Sequence, residues 1–292
     1  LKLIMYSFSM QSTIAESAEI SGVQLHGGKF TNLKMLPAEV NGGINFIRKD
    51  IADRNNIIKV IPSSVSCVLN CTTLSNTAGV TVSTVEHLLA ALAAFGIDNI
   101  NIEIDGNEVP AVDGSARPFF KVIERAKIKQ QSSPRRFVKV LKPVEISIDD
   151  SYAKIEPSDQ LELDVTIDYD DKAIGIQNFK IAPNLKNFHD CIASARTFAK
   201  FDDVASLRAC GLSRGGSLSN AIVVDKGKVL NSEGLRFDNE FARHKTLDLM
   251  GDLYVGGPVI GRVTTFKGGH KLNHALQVAL YGSSDTWKFI NL

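Results

Sequence analysis

The sequence predicts an α+β protein made of two similar units, and three observations carry that reading. Residues 18–80 alternate or cluster apolar residues in short runs (Val23–Leu25, Gly43–Ile47, Ile57–Ile61, Val65–Leu69) separated by Gly, Asn and Pro, a β-rich pattern. The stretch Gln130-Gln131-Ser132-Ser133-Pro134 is polar, breaks every periodicity and is the best linker candidate. On each side of it the same order recurs: strands, an apolar helix with a histidine near its start, glycine, a strand and a further helix. The expected division is an extension over 1–9, a unit over 10–130, a linker over 131–135 and a second unit over 136–292.

Each element has a local reason. Ser83-x-x-Glu86 reads as a capping box for an apolar helix through Leu88-Leu89-Ala90-Ala91-Leu92, stopped by Gly96. Asn99–Asp105 alternates with its isoleucines on one face, a strand. Asp113-Gly114-Ser115 reads as a turn and Pro118–Ile128 as a second helix. Beyond the linker, Phe137–Ile148 and Leu161–Tyr169 alternate as strands, and a short helix starts at Asn184. Phe201–Cys210 reads as a helix with Phe201, Val204 and Leu207 in a stripe, followed by a loop through Gly211, Gly215 and Gly216. A hairpin turns at Asp225–Lys228. A helix around Arg243–Asp252, a strand Val259–Phe266 and a final helix Lys271–Tyr281 complete the chain.

Composition narrows the function classes. The chain has 292 residues, 44% hydrophobic and 22% charged, ordinary for a globular protein and long enough for two cores. A net charge of +1 gives no bulk case for nucleic acid or an anionic membrane surface. No run reaches the roughly 18–20 apolar residues of a membrane-spanning helix. Cys67, Cys71, Cys191 and Cys210 form no CxxC pair, so reduced thiols and a cytoplasmic location are expected. The opening LKLIMYSFSM lacks a cleavage pattern and reads as an extension before Met10.

The chemistry gathers on two helices. His244, Asp248 and Asp252 stand at i, i+4 and i+8 of an otherwise apolar helix, on one face. Ionisable groups in a buried stripe cost several kcal/mol each unless compensated, and a metal ion would compensate them. A surface ion pair is the plainer alternative. A hydrolytic zinc needs three protein ligands and one open position, and His87, His244 and Asp248 would supply them from both halves. Glu86, next to His87 but turned about 100° away, is placed as general base, although it could simply cap its helix. His270 on its Gly-Gly loop is the candidate proton donor, with Asp252 orienting it. Lys245 and Thr197 are candidates for the developing oxyanion. Two histidines and a carboxylate also suit non-haem iron, and His270 as a fourth ligand would make a closed structural site in a ligand-binding protein. His26 and His189 carry little functional weight in this reading.

Six motifs, in order and in register, resemble one family. They are Gly22-Val23-Gln24-Leu25-His26, Ser83-Thr84-Val85-Glu86-His87-Leu88, Asp113-Gly114-Ser115, Ala195-Arg196-Thr197-Phe198, Arg243-His244-Lys245-x-Leu247-Asp248 and Gly269-His270-x-Leu272-Asn273. From about Gln11 to the C-terminus the chain resembles the zinc-dependent UDP-3-O-acyl-N-acetylglucosamine deacetylases of lipid A synthesis. The resemblance implies two domains, each a sheet with two helices, the four helices packed between the sheets. It implies one zinc on His87, His244 and Asp248, and Glu86 as base. His270, with Asp252, takes the acid role, and Lys245 and Thr197 lie near the scissile carbonyl. It also implies an acylated UDP-amino-sugar substrate, no protein partner, and an acyl passage built by an insert at about Thr197–Val223. Phe198, Phe201, Val204, Leu207 and Gly216 are then substrate-facing, and Cys71 lies close to the site.

Overall fold

A computed structural model describes residues 9–292, so of the expected extension only Ser9 falls within the described residues. Strands β1 (Met10–Ile14), β2 (Ala18–Val23), β3 (Phe30–Pro37), β4 (Ile44–Arg48), β5 (Ile57–Lys59), β6 (Val65–Cys67), β7 (Thr73–Ser75) and β8 (Thr81–Val82) precede helix α1 (Glu86–Phe95). Then come β9 (Ile100–Ile104), α2 (Arg117–Ala126) and β10 (Ile128–Pro134). The second half opens with β11 (Arg136–Val140), β12 (Val144–Ile148), β13 (Ser151–Glu156), β14 (Leu161–Asp168), β15 (Ile176–Ile181) and α3 (Leu185–Cys191). It continues through β16 (Phe198–Lys200), α4 (Phe201–Ala209), β17 (Ile222–Asp225), β18 (Lys228–Val229) and α5 (Glu240–Tyr254). It ends with β19 (Val259–Phe266), α6 (His270–Tyr281) and β20 (Trp287–Asn291).

The fold is α+β, and its two main sheets repeat one plan. The first has the order β2-β3-β9-β4-β5, with β9 antiparallel to β3 and parallel to β4. In the second, β19 is antiparallel to β13 and parallel to β14, with hairpins β12-β13 and β14-β15 flanking it. The first two residues of β19 also pair with β11, which carries β20. In each case a helix enters the central strand and a helix leaves it, α1 and α2 around β9, α5 and α6 around β19. This is the recurrence that the order of apolar runs predicts. The isoleucines of β9 are buried and its intervening residues half-buried, as period-two alternation requires. No helix among the described residues is long and apolar enough to cross a membrane.

Two local expectations are corrected. Ser83 does not cap α1, because the helix starts two residues later than the capping box requires. Val85 is the boundary residue, and the Ser83 hydroxyl accepts from Thr73 Oγ1 at 3.0 Å. Glu86 is thereby released from a capping role, and Gly96 ends the helix in the left-handed region as expected (φ 69°). The polar run 130–134 is not loop but most of β10, paired antiparallel with β1. A ribbon held by backbone hydrogen bonds needs no apolar alternation, so period-two reading misses it.

α1 and α5 are the central pair. All ten residues of α1 and thirteen of the fifteen of α5 are buried. Gly251 sets their distance: a Cβ there would lie 2.0 Å from the Glu86 carbonyl oxygen and 2.8 Å from its carbon. Alanine gains about 1 kcal/mol in helix propensity over glycine, but a backbone carbonyl cannot rotate away, and overpacking costs about 1–3 kcal/mol or more. The clash therefore wins. Gly251→Ala is expected to lower the melting temperature by roughly 2–5 °C and to cut turnover as Glu86 shifts. An unchanged thermal unfolding curve would show that the helices have slack.

Candidate metal centre

The close approach at Gly251 brings the start of α1 against the charged stripe of α5. His87, His244 and Asp248 meet there, all buried, each offering a ligand atom within 4.8 Å of the others. Asp248 Oδ1 lies 3.5 Å from His87 Nε2 and 3.3 Å from His244 Nε2. The two imidazole rings stand nearly perpendicular, 5.0 Å apart. His244 Nδ1 lies 3.1 Å from the Ala195 carbonyl, which accepts its proton and leaves the Nε2 lone pair facing the cluster. Burial pushes the His244 pKa down to about 3, against the pull of Asp248, so the ring is a neutral donor.

The segment that supplies Ala195 is itself anchored. Arg196, buried, donates to Glu240 at 2.9 Å and to Glu233 at 2.8 Å. Glu240 is the first residue of α5, so the ion pair ties the orienting carbonyl to the helix that carries His244. Removing one partner of such a pair leaves an uncompensated buried charge, which explains why the Ala195-Arg196-Thr197 motif holds a buried arginine.

Asp248 tests whether a cation fits. Burial works against its charge, but His244 and Lys245 outweigh that and hold the carboxyl well below its ordinary range. Oδ2 accepts from Lys245 Nζ at 3.0 Å, whereas Oδ1 is buried and has no hydrogen-bond partner. An ionised oxygen left bare between two imidazole nitrogens costs several kcal/mol. A divalent ion bound by two nitrogens and this oxygen relieves that cost, and the donor set suits zinc or iron. The residues fit a metal.

Glu86 and His270 stand beside the cluster rather than in it. Glu86 Oε2 accepts from the Thr72 backbone N–H at 3.1 Å, and Oε1 lies 3.8 Å from His270 Nε2. Burial raises the Glu86 pKa, with His270 and His87 opposing. His270 Nδ1 is 2.8 Å from Asp252 Oδ2, and its Nε2 lies 4.0 Å from Asp248 Oδ2. Burial disfavours its charge, but Asp252 and Glu86 outweigh burial and raise its pKa to about 9. Asp252 is held from several sides: Thr72 Oγ1 donates to Oδ1 (2.6 Å), Asn273 to Oδ2 (2.8 Å) and Gln277 to its carbonyl (2.5 Å). Asn273 and Gln277 share a face of α6 with His270, a spacing that sequence could have flagged. Thr72 has no such signal.

A cavity of about 750 Å³ opens over the cluster, within the range of small-molecule sites. Glu86, His87, His244, Lys245, Asp248 and His270 line it, with Thr197 and Phe198. Phe201, Val204, Leu207 and Gly216 also line it. α4 buries none of its residues, and Phe201 is 54% exposed, so its apolar stripe faces this space instead of a core. Lys245 lies 5.5 Å from the Phe198 ring as well as on Asp248, which keeps its amine protonated despite burial. Thr197 is fixed by backbone bonds from Thr197 N–H to Gly114 and from Ile222 N–H to Thr197, both 2.8 Å. Cys71 is buried near Glu86 but is not among the lining residues, and burial, with Glu86, pushes its thiol up to about 12. It is therefore protonated and a poor nucleophile. His26, given little weight from sequence, is one of the lining residues. His189 is half-exposed beside Asp190, away from the cluster.

Known proteins place the chain. The family model for UDP-3-O-acyl N-acetylglycosamine deacetylase matches residues 11–282. A UDP-3-O-acyl-N-acetylglucosamine deacetylase of Phenylobacterium zucineum is 43% identical over 279 residues, 95% of each chain. One of Anaeromyxobacter sp. is 44% identical over 271 residues, 91% of this chain and 86% of that one. One of Histophilus somni is 42% identical over 287 residues, 96% of this chain and 93% of that one. A match over nearly the whole length, carrying a buried two-histidine, one-aspartate cluster, shows that the chain belongs to the UDP-3-O-acyl-N-acetylglucosamine deacetylase family.

Proposed function

We propose that this chain is a zinc-dependent amidohydrolase acting on UDP-3-O-(3-hydroxyacyl)-N-acetylglucosamine. It hydrolyses the N-acetyl group to give acetate and the free amine, the committed step of lipid A biosynthesis, in the cytoplasm. The observation that carries this is the bare, buried Oδ1 of Asp248 between two imidazole nitrogens, at a cavity that also holds Glu86 and His270. His87, His244 and Asp248 would hold one zinc ion, which when bound supplies a Lewis acid and makes a water acidic enough to react at neutral pH.

The chain's own groups do the rest. Glu86, outside the ligand set, takes the proton of the attacking water; its raised pKa suits a base that must later release that proton. His270, protonated by virtue of Asp252, gives a proton to the departing amine. Lys245 and Thr197 stand beside the carbonyl oxygen as charge develops there. The apolar side of the cavity over 197–223 receives the acyl chain, each buried methylene contributing about 0.8 kcal/mol. We read the repeated sheet plan as two similar domains, 10–130 and 136–292, joined over 131–135, with the helices between their sheets.

The direct test incubates the purified protein with UDP-3-O-acyl-N-acetylglucosamine, with and without chelator, and measures acetate. Release that chelator stops and zinc restores is expected; no release with zinc present would sink the reading. The acid role also predicts a pH dependence. His270 donates while protonated, so turnover falls as pH rises through its pKa, which is about 9 without metal and lower beside a bound cation. Asp252→Asn removes the chief carboxylate that raises it. The basic limb of the kcat profile should then move down by about one to three pH units. An unmoved limb would assign it to another group.

A further inference from the structure

The turn Asp113-Gly114-Ser115 belongs neither to the metal centre nor to the residues that line the cavity. Its backbone is nonetheless constrained. Val112 is held at φ 52°, a left-handed conformation that a β-branched residue avoids, and Gly114 stands at φ 80°. Such conformations persist only where the surroundings over-determine them. Asp113 Oδ1 closes the turn, accepting from the Ser115 N–H at 3.1 Å and from the Ser115 hydroxyl at 2.7 Å. Gly114 is buried against the second half of the chain. A Cβ there would collide with the Asn220 carbonyl, 2.8 Å from its carbon, and would lie 3.4 Å from Thr197 Cγ2.

The segment that the turn meets, 194–197, is gripped at each residue. Arg236 Nη1 donates to the Ser194 carbonyl at 2.9 Å. The Ala195 carbonyl accepts the His244 proton, and the Arg196 N–H donates to Glu240 Oε1 at 3.0 Å. The Thr197 N–H donates to the Gly114 carbonyl at 2.8 Å. Of these partners only Gly114 comes from the first half of the chain, the half that also carries Glu86. Asp113 reinforces the contact, because its Oδ2 pairs with the same Arg236 Nη1 at 3.0 Å. The turn is therefore where Thr197 is set against the half that supplies the base.

We propose that this turn is a positioning element for the reaction: the Gly114 carbonyl, and the absence of a side chain at Gly114, fix where the Thr197 hydroxyl stands at the cavity wall. This rests on the deacetylase reading above, in which Thr197 faces the oxygen of the scissile carbonyl. The turn touches no substrate and acts through Thr197. A methyl group at Gly114 must push either Thr197 or the Asn220 carbonyl. The Ile222 N–H, two residues beyond Asn220, donates to the Thr197 carbonyl at 2.8 Å, so movement at Asn220 carries Thr197 with it. Small shifts suffice, since about 1 Å of misplacement can cost on the order of a hundredfold in rate.

The test is a double-mutant cycle between Gly114→Ala and Thr197→Val, read as kcat and KM for acetate release, with zinc content measured on each preparation. Thr197→Val removes the hydroxyl and should cost about a hundredfold in kcat, as loss of one oxyanion donor does. Gly114→Ala should cost about tenfold in kcat, with KM within about twofold of the parent and zinc content unchanged. In the double variant the loss should stay near about a hundredfold instead of reaching about a thousandfold, because a donor that is gone cannot be misplaced. Thr197→Ser, which returns the hydroxyl, should restore the sensitivity to Gly114→Ala. A turn that only holds the fold together gives the full additive loss, and that result overturns the proposal. A Thr197→Val protein as fast as the parent overturns it too. Should Gly114→Ala not fold, Asp113→Ala keeps the glycine and loosens the turn; its loss of about threefold should likewise vanish beside Thr197→Val, and an equal loss in both backgrounds counts against the assignment. No acetate from the parent with zinc present sinks the deacetylase reading itself, and this proposal with it.

Discussion

Glu86→Gln is expected to keep its zinc and lose about 10²–10⁴ of turnover, the range that a positioned base contributes. The geometry separates the two roles that a buried glutamate beside a histidine could play. Its carboxylate is outside the three-atom ligand cluster; Oε2 is engaged by the Thr72 N–H and Oε1 faces His270. The amide of glutamine keeps an oxygen for Thr72 but cannot take a proton from water. Metal content per chain and kcat, measured on the same preparation, decide the matter. Zinc lost along with activity would make Glu86 a ligand. Stability should move in the opposite direction to activity. Burial is the largest influence on Glu86 and acts against its charge, so a neutral isostere relieves a strain that the fold carries for the reaction. The variant is expected to melt at or above the parent's temperature.

Much of this was legible in the sequence because the signals were chemical and periodic. An i, i+4, i+8 stripe of His244, Asp248 and Asp252 in an apolar helix can be read without coordinates, and the structure places these residues as the stripe implies. The twofold recurrence of strands and helices was also visible. Pairing was not: which strands lie beside β9 and β19 depends on contacts between residues far apart in sequence. The role of 130–134 was hidden because its strand is held by backbone pairing with β1 and by polar side-chain bonds such as Gln131 to Ala38 and Asn99, not by an apolar face. Gly251 carries no signal in the sequence, and only its distance to the Glu86 carbonyl shows that it sets the spacing of the two helices. Thr72 was missed for a related reason. It owes its place to Asp252, a partner far from it in sequence.

Asp248→Ala should release the metal and abolish turnover, and its effect on stability should reveal how the site is balanced. On the proposed reading zinc would stabilise the parent by binding only the folded chain, about 2.7 kcal/mol at a hundredfold excess over Kd. The variant should show no such rise in melting temperature when zinc is added. In the metal-free proteins a second effect enters. Asp248 holds Lys245 charged within the protein, amine to carboxylate at 3.0 Å. Breaking a buried pair from one side costs about 3–5 kcal/mol, less here because the Lys245 side chain keeps 19% of its surface exposed, and removing the bare Oδ1 returns part of that. The net result is a less stable metal-free chain, since the stranded lysine brings the larger penalty. Lys245→Met should suppress most of that loss in the double variant, although it cannot restore metal or activity. A metal-free Asp248→Ala protein as stable as the parent would mean that Lys245 finds another partner. Full zinc occupancy in that variant would remove Asp248 from the ligand set, and with it the reason for its bare oxygen.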